Sequence, residues 1–121
     1  PGTVGGGIFM NAGANGGEIK DCLKRVWVWL DGREIEFKRE ELRFDYRKSY
    51  LPAGSVITRA EFGLKPGDSA VIERNVKEYL EKRSRTQPIK MSNTGSIFKN
   101  PPDIAAGRLI EELGLKGYGI G

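Results

Sequence analysis

The residues with the strongest chemical character are glycines, cations and two hydroxyl-bearing segments. Seven of the 17 glycines fall within the first 17 residues, at positions 2, 5, 6, 7, 13, 16 and 17. Glycine lets backbone N–H groups approach an anion closely, so GTVGGG (2–7) can be read as a phosphate cradle. A helix starting near Val4 would add its positive dipole end. The same composition suits a tight or flexible turn, and both readings stand. It is not a nucleotide-binding P-loop, because no Gly-Lys-Ser/Thr follows. No ribose-binding acid follows it in a βαβ unit, so the dinucleotide fingerprint is not expected.

The chain has no histidine and a single cysteine, Cys22. Imidazole acid–base chemistry, His-containing zinc sites and an internal disulfide are therefore excluded within it, and no metal site is expected. By residue type alone, Arg47 is a loop arginine, Ser96 a turn hydroxyl after Gly95, and Asn100 before Pro101 a turn cap. Glu111 and Glu112 read as solvated. The cluster Lys82, Arg83 and Arg85 complements the end of a helix better than it forms a nucleic-acid stripe. A net charge of +4 suits an anionic small molecule such as a nucleotide sugar.

The elements that must position these residues follow from periodicity. Residues 1–17 read as a glycine-rich loop with an apolar insert at Ile8, Phe9 and Met10, and 18–23 as a helical turn. Residues 24–30 alternate as a strand, with Val26, Val28 and Leu30 on one face and Trp27 and Trp29 on the other. Those tryptophans can pack on a neighbouring lobe or stack on a nucleotide. Asp31-Gly32 marks a hairpin turn into 33–38, with Ile35 and Phe37 inward. A single helical turn is expected over 39–43 and a loop over 44–52. The next strand, 55–64, should face Val56, Thr58, Ala60, Phe62 and Leu64 one way, with Arg59 and Glu61 opposite. Asp68 or Ser69 caps a helix over 69–83 with a stripe of Ile72, Val76, Tyr79 and Leu80. Gln87-Pro88 breaks it, and a linker runs to Asn93. A short strand is expected at 96–98 and a helix over 104–113, capped by Asp103 and stopped by Gly114. The class is α+β. No apolar run of about 18 residues offers a membrane span.

Three segments, taken in order, carry a resemblance. PGTVGGGIFMNAGANGGE (1–18) is similar to the pyrophosphate loop of vanillyl-alcohol-oxidase-type FAD domains. LRFDYRKS (42–49) is similar to the arginine segment of muramate-forming reductases. TGSIFKNP (94–101), with AAGRLIEELGLKGYGIG (105–121), is similar to their serine segment. On these motifs the chain resembles the UDP-N-acetylenolpyruvoylglucosamine reductase family, and its short connection between Tyr46 and Ser96 resembles the compact subtype. Asn15 stands where many members carry tyrosine, and Gly119 where a larger or charged residue is frequent.

The resemblance implies the second lobe of an FAD-binding domain (1–86) and the start of a small α+β substrate-binding domain (87–121). It implies that a first lobe precedes Pro1 and that a glutamate-bearing segment follows Gly121, so this stretch alone is expected to lack activity. The implied enzyme is a cytoplasmic flavoprotein of peptidoglycan synthesis, serving cell-wall biogenesis, cell shape, the cell cycle and cell division. It reduces the enolpyruvyl ether of UDP-N-acetylglucosamine with NADPH as hydride donor. Gly2, Thr3, Val4, Gly5, Gly6, Asn11, Ala12, Gly13 and Ala14 are implied to hold FAD. Arg47 is implied to hold charge on the enolpyruvyl carboxylate, Ser96 to donate a proton, and Tyr46, Lys99 and Asn100 to bind substrate. Nucleic acid and membrane are not expected as partners. The alternatives are a sugar or alcohol oxidase of the same superfamily, or a non-enzymatic anion-binding module.

Overall fold

A computed structural model describes residues 2–87 and 95–119. The linker to Asn93, Thr94 of the serine motif and the last two residues lie outside them. The chain divides into two compact units, at Glu81 and Lys82.

The first unit is built on a three-stranded antiparallel sheet. Helix α1 (Val4–Phe9) is followed by the short strands β1 (Gly13–Ala14) and β2 (Gly17–Glu18), then β3 (Leu23–Leu30) and β4 (Arg33–Lys38). Strands β5 (Phe44–Asp45) and β6 (Lys48–Ser49) form a second small hairpin, and β7 (Val56–Phe62) returns to the sheet. The sheet order is β4-β3-β7, so β3 lies in the centre. Its alternation explains why. Val26 and Val28 are fully buried against Ile8, Leu23, Leu42 and Leu51, while Trp27 and Trp29 point away. Asp31 (φ 50°) and Gly32 (φ 78°) are both left-handed, the backbone that a two-residue hairpin turn requires. Single turns of 3-10 helix at Ile19–Asp21 and Arg39–Glu41 match the expected helical turns.

The outer face is covered by charge. The Arg59 guanidinium lies 4.1 Å from the Trp27 ring centroid and 3.5 Å from Glu34. Arg25 bridges Glu61 at 3.2 Å and Glu36 at 3.5 Å. Cations and carboxylates alternate across the strands, a pattern that does not offer a polyanion an uncompensated stripe.

Three local expectations are corrected in this unit. Residues 4–9 are a helix rather than a loop. Three glycines lower its propensity by about 1 kcal/mol each relative to alanine. Its Thr3 side chain accepts the Gly6 N–H at 3.0 Å, and the glycines permit close packing: a Cβ on Gly7 would stand 2.8 Å from the Ile19 side chain. Residues 44–52 contain the β5–β6 hairpin. In β7, Ile57 faces the core with Ala60 and Phe62, while Val56 and Thr58 are exposed; Leu64 lies beyond the end of the strand and is exposed. The register explains the change of face. Trp27 pairs with Arg59 but Val28 pairs with Ile57, so Thr58 is an extra residue, a β-bulge. One inserted residue exchanges the faces of everything beyond it. The Thr58 hydroxyl accordingly points outward and donates to Glu34 at 2.6 Å.

Helix α2 (Ser69–Thr86) crosses the boundary between the units. Asp68 caps it, its carboxylate accepting the Val71 N–H at 3.0 Å. The stripe of Ile72, Val76, Tyr79 and Leu80 is present and exposed.

In the second unit, residues 96–98 form no strand: Ser96 is irregular, and Ile97 and Phe98 form a bend with both side chains exposed. The described residues of this unit supply no strand for them to pair with, and an unpaired strand leaves its backbone groups without a ladder. The N-cap of helix α3 (Ala106–Glu112) is Ala105, and the free first N–H of the helix, that of Ala106, is accepted by the Asn100 side-chain oxygen at 3.0 Å. This corrects the assignment of the cap to Asp103. The helix ends as expected at Gly114 (φ 68°). Gly114 N–H donates to Glu111 and Leu115 N–H to Ile110, the two bonds of a Schellman motif.

Candidate functional site

The first-unit residues singled out by sequence gather around two hairpins. The β1–β2 hairpin turns at Asn15 (φ 53°) and Gly16 (φ 85°), an Asn-Gly pair suited to two successive left-handed residues. The β5–β6 hairpin turns at Tyr46 and Arg47, and Arg47 is itself left-handed (φ 54°). A non-glycine residue there costs about 1–2 kcal/mol of backbone strain. The arginine side chain is held in return. Its Nη2 donates to the Gly13 carbonyl at 2.8 Å, and its guanidinium stacks 4.8 Å from the Tyr46 ring centroid. Nη1 lies 3.9 Å from Glu18 Oε1. Gly13 has to be glycine, because a Cβ would come within 2.6 Å of the Gly17 carbonyl oxygen and 3.2 Å of Arg47 Nη1.

Below these hairpins, Asn11 is left-handed (φ 42°) and fully buried at the end of α1. Its amide nitrogen donates to Glu18 Oε2 at 3.0 Å and to the Asp45 carbonyl at 3.2 Å. Its amide oxygen accepts the Lys20 N–H at 3.2 Å. Ser49 Oγ donates to the Phe9 carbonyl, fastening β6 to α1. The Glu18 carboxyl is held below its ordinary range, first by its bond to Lys20 and then by Asn11 and the nearby Arg47, against a smaller opposing effect of burial. Lys20 is raised correspondingly by Glu18. Asp45 is lowered by the Tyr50 hydroxyl and by Arg43.

The structure therefore brings Arg47 and Tyr46 together with Gly13. Gly2, Thr3, Val4 and Ala14 are exposed, and Gly5, Gly6, Ala12 and Gly13 are half-buried. The Asn11 side chain is committed inside the protein. Ser96, Lys99 and Asn100 belong to the second unit, where all three are exposed. Asn100 uses its oxygen on α3 and keeps its amide N–H groups for other partners. Sequence reasoning missed Glu18 and the structural part of Asn11. The only signal was Asn11 followed by the Asn-Gly turn, which would have predicted the hairpin that returns Glu18 to it.

A mixed α/β protein with an arginine tethered to a glycine-rich hairpin that follows an N-capped helix is the class these elements define. Residues 87–121 match the family model described as UDP-N-acetylenolpyruvoylglucosamine reductase, C-terminal domain. The UDP-N-acetylenolpyruvoylglucosamine reductase of Carboxydothermus hydrogenoformans is 48% identical over 119 residues, which is 97% of this chain and 39% of the relative. That of Thermotoga sp. is 44% identical over 123 residues, covering 100% of this chain and 41% of the relative. The crystal structure of the Thermus caldophilus UDP-N-acetylenolpyruvylglucosamine reductase superposes with a TM-score of 0.88 at 46% identity, over 98% of this chain and 44% of that one. The chain belongs to the UDP-N-acetylenolpyruvoylglucosamine reductase family. It spans about two fifths of the length of the curated relatives it matches.

Proposed function

We propose that these residues form part of an FAD- and NADPH-dependent reductase of peptidoglycan precursor synthesis, acting in the cytoplasm. Its substrate is the enolpyruvyl ether of UDP-N-acetylglucosamine and its product is UDP-N-acetylmuramate. The observation that carries this reading is the tether of Arg47 to Gly13, within a chain of this family. It sets a guanidinium fork, suited to a carboxylate, next to Gly13, a residue this reading assigns to FAD.

What supports a diphosphate at this loop is that Gly2 faces open space and that the Val4 and Gly5 amides have no partner four residues earlier in the helix, while the Gly6 amide is taken by Thr3 Oγ1. In this reading the backbone of Gly2, Thr3, Val4 and Gly5 holds the phosphates, with Gly6, Asn11, Ala12, Gly13 and Ala14 alongside; the Gly6, Asn11 and Ala12 amides are spent within the protein. When bound, the flavin supplies hydride transfer, with NADPH as the source of the hydride.

The chain's own residues supply orientation, charge and a proton. Arg47 binds the enolpyruvyl carboxylate through the guanidinium N–H groups that Gly13 leaves free, and stabilises negative charge developing beside it. Ser96 Oγ donates a proton to the carbon bearing that carboxylate. A serine hydroxyl is a weak acid, and Lys99 close by in sequence is the cation that would favour its ionised form. Tyr46 shapes the pocket around Arg47, and the Asn100 amide N–H groups donate to phosphate or sugar oxygens.

The test is a pair of half-reactions in the complete enzyme. Ser96→Ala should abolish substrate reduction while leaving flavin reduction by NADPH intact. Equal loss of both would remove Ser96 from the proton-donor role.

A further inference from the structure

We propose that Glu18 is a positioning residue, and that with Asn11 it clamps the Arg47 guanidinium in the orientation that receives the substrate carboxylate. This rests on the reading of Arg47 given above. An arginine side chain has many rotamers open to it, so a guanidinium at the tip of a two-residue turn stays aimed only if it is held.

The clamp has two levels. At the base, buried Asn11 donates to the carbonyl of Asp45, the residue immediately before the Tyr46–Arg47 turn, and so fixes where the hairpin emerges. At the head, the two Glu18 oxygens are divided between tasks. Oε2 accepts from Asn11 at 3.0 Å and pairs with Lys20 at 2.5 Å, while Oε1 faces Arg47 Nη1 at 3.9 Å. Together with the Gly13 carbonyl on Nη2, Glu18 defines the edge of the guanidinium that faces the protein. The remaining N–H groups are left for a ligand.

The charges are consistent with this division. A carboxylate bonded tightly to Arg47 would compete with the substrate. Lys20 takes the close pairing instead, and the Arg47 contact is loose. Glu18, Lys20 and Arg47 sum to one positive charge, which an incoming carboxylate can neutralise.

The test uses the complete enzyme, with substrate reduction by pre-reduced flavin and flavin reduction by NADPH followed separately. Glu18→Ala should slow substrate reduction on the order of ten- to a hundredfold, as a misaligned group does, and leave flavin reduction within twofold of wild type. Isosteric Glu18→Gln, which keeps the shape of the Asn11 contact, should show a smaller loss of the same kind and covers the case in which the alanine variant fails to fold. Combining Glu18→Ala with Arg47→Ala should be no slower than Arg47→Ala alone. Wild-type substrate reduction in both Glu18 variants, with Arg47→Ala slow, overturns the clamp and spares the role of Arg47. So does equal slowing of both half-reactions in the Glu18 variants, which marks a purely structural residue. Wild-type substrate reduction in Arg47→Ala overturns the underlying reading itself, and the clamp with it.

Discussion

Arg47 occupies a backbone conformation that glycine would adopt without strain, and its side chain is fastened to a neighbouring hairpin. Strain of this kind persists where the surroundings over-determine it, and it often marks function. The two contributions separate in Arg47→Gly. Relief of roughly 1–2 kcal/mol of strain offsets a lost charge-assisted hydrogen bond worth about 1.5–3 kcal/mol. Thermal unfolding should therefore shift little, while substrate reduction falls by on the order of 10²–10³, as when one charge-stabilising donor is removed. Gly13→Ala should behave differently, because its Cβ would collide with backbone rather than a yielding side chain. It should cost about 1–3 kcal/mol and displace Arg47, measured as a lower denaturation midpoint together with slower substrate reduction.

The Glu18 carboxyl gives a pH signature at the same scale. Its folded-state pKa lies below the ordinary value. Its stabilising contribution is therefore present above the unfolded-state value of about 4.3 and is lost as pH falls through the folded one. Wild type and Glu18→Gln should differ in melting temperature at pH 6 and converge as the pH drops below about 4. A gap that persists unchanged at pH 2.5 would contradict this assignment.

At the scale of elements, the sequence was most legible where local rules and tertiary packing agree. The β3–β4 hairpin followed from alternation plus Asp31-Gly32, and the end of α3 followed from Gly114. It was least legible where one residue overrides a rule. The alternation of β7 predicted the inward face from Val56 to Leu64, and the extra residue Thr58 reversed it at Ile57. Helix α1 was hidden by three glycines whose low propensity is offset by the Thr3 cap and by close packing on Ile19 and Ile57. The β5–β6 turn was hidden because Tyr46-Arg47 is not a turn dipeptide. The bulge makes its own prediction. Deleting Thr58 makes Ile57 and Arg59 neighbours opposite the adjacent Val28 and Trp27, a continuous register that keeps Ile57 inward and Val56 outward. The exposed Thr58–Glu34 hydrogen bond is then the main loss, worth about 1 kcal/mol as a lower denaturation midpoint. A loss of several kcal/mol, the size of a core disruption, would show that Ile57 does not keep its place without the bulge.

At the scale of the whole molecule, the candidate site was legible as motifs and not as geometry. Sequence order named Arg47 and Ser96. It did not reveal that Asn11, spent wholly inside the protein, ties α1, β2 and β5 together beneath Arg47. Nor did it reveal that Glu18 sits beside the guanidinium. Both depend on hairpins folding back across gaps of 7 to 34 residues, which no local pattern encodes. The two units each carry one half of the proposed chemistry: the first the arginine and the glycine loop, the second the serine.

The proposal that Arg47 and Ser96 act on one enolpyruvyl group is tested most directly by a crystal structure of the complete enzyme with its enolpyruvyl substrate bound. The Arg47 guanidinium should lie within hydrogen-bonding distance of the substrate carboxylate, and Ser96 Oγ next to the carbon that bears it. Finding the two side chains on opposite sides of the molecule, or the substrate carboxylate held by other cations, would contradict it.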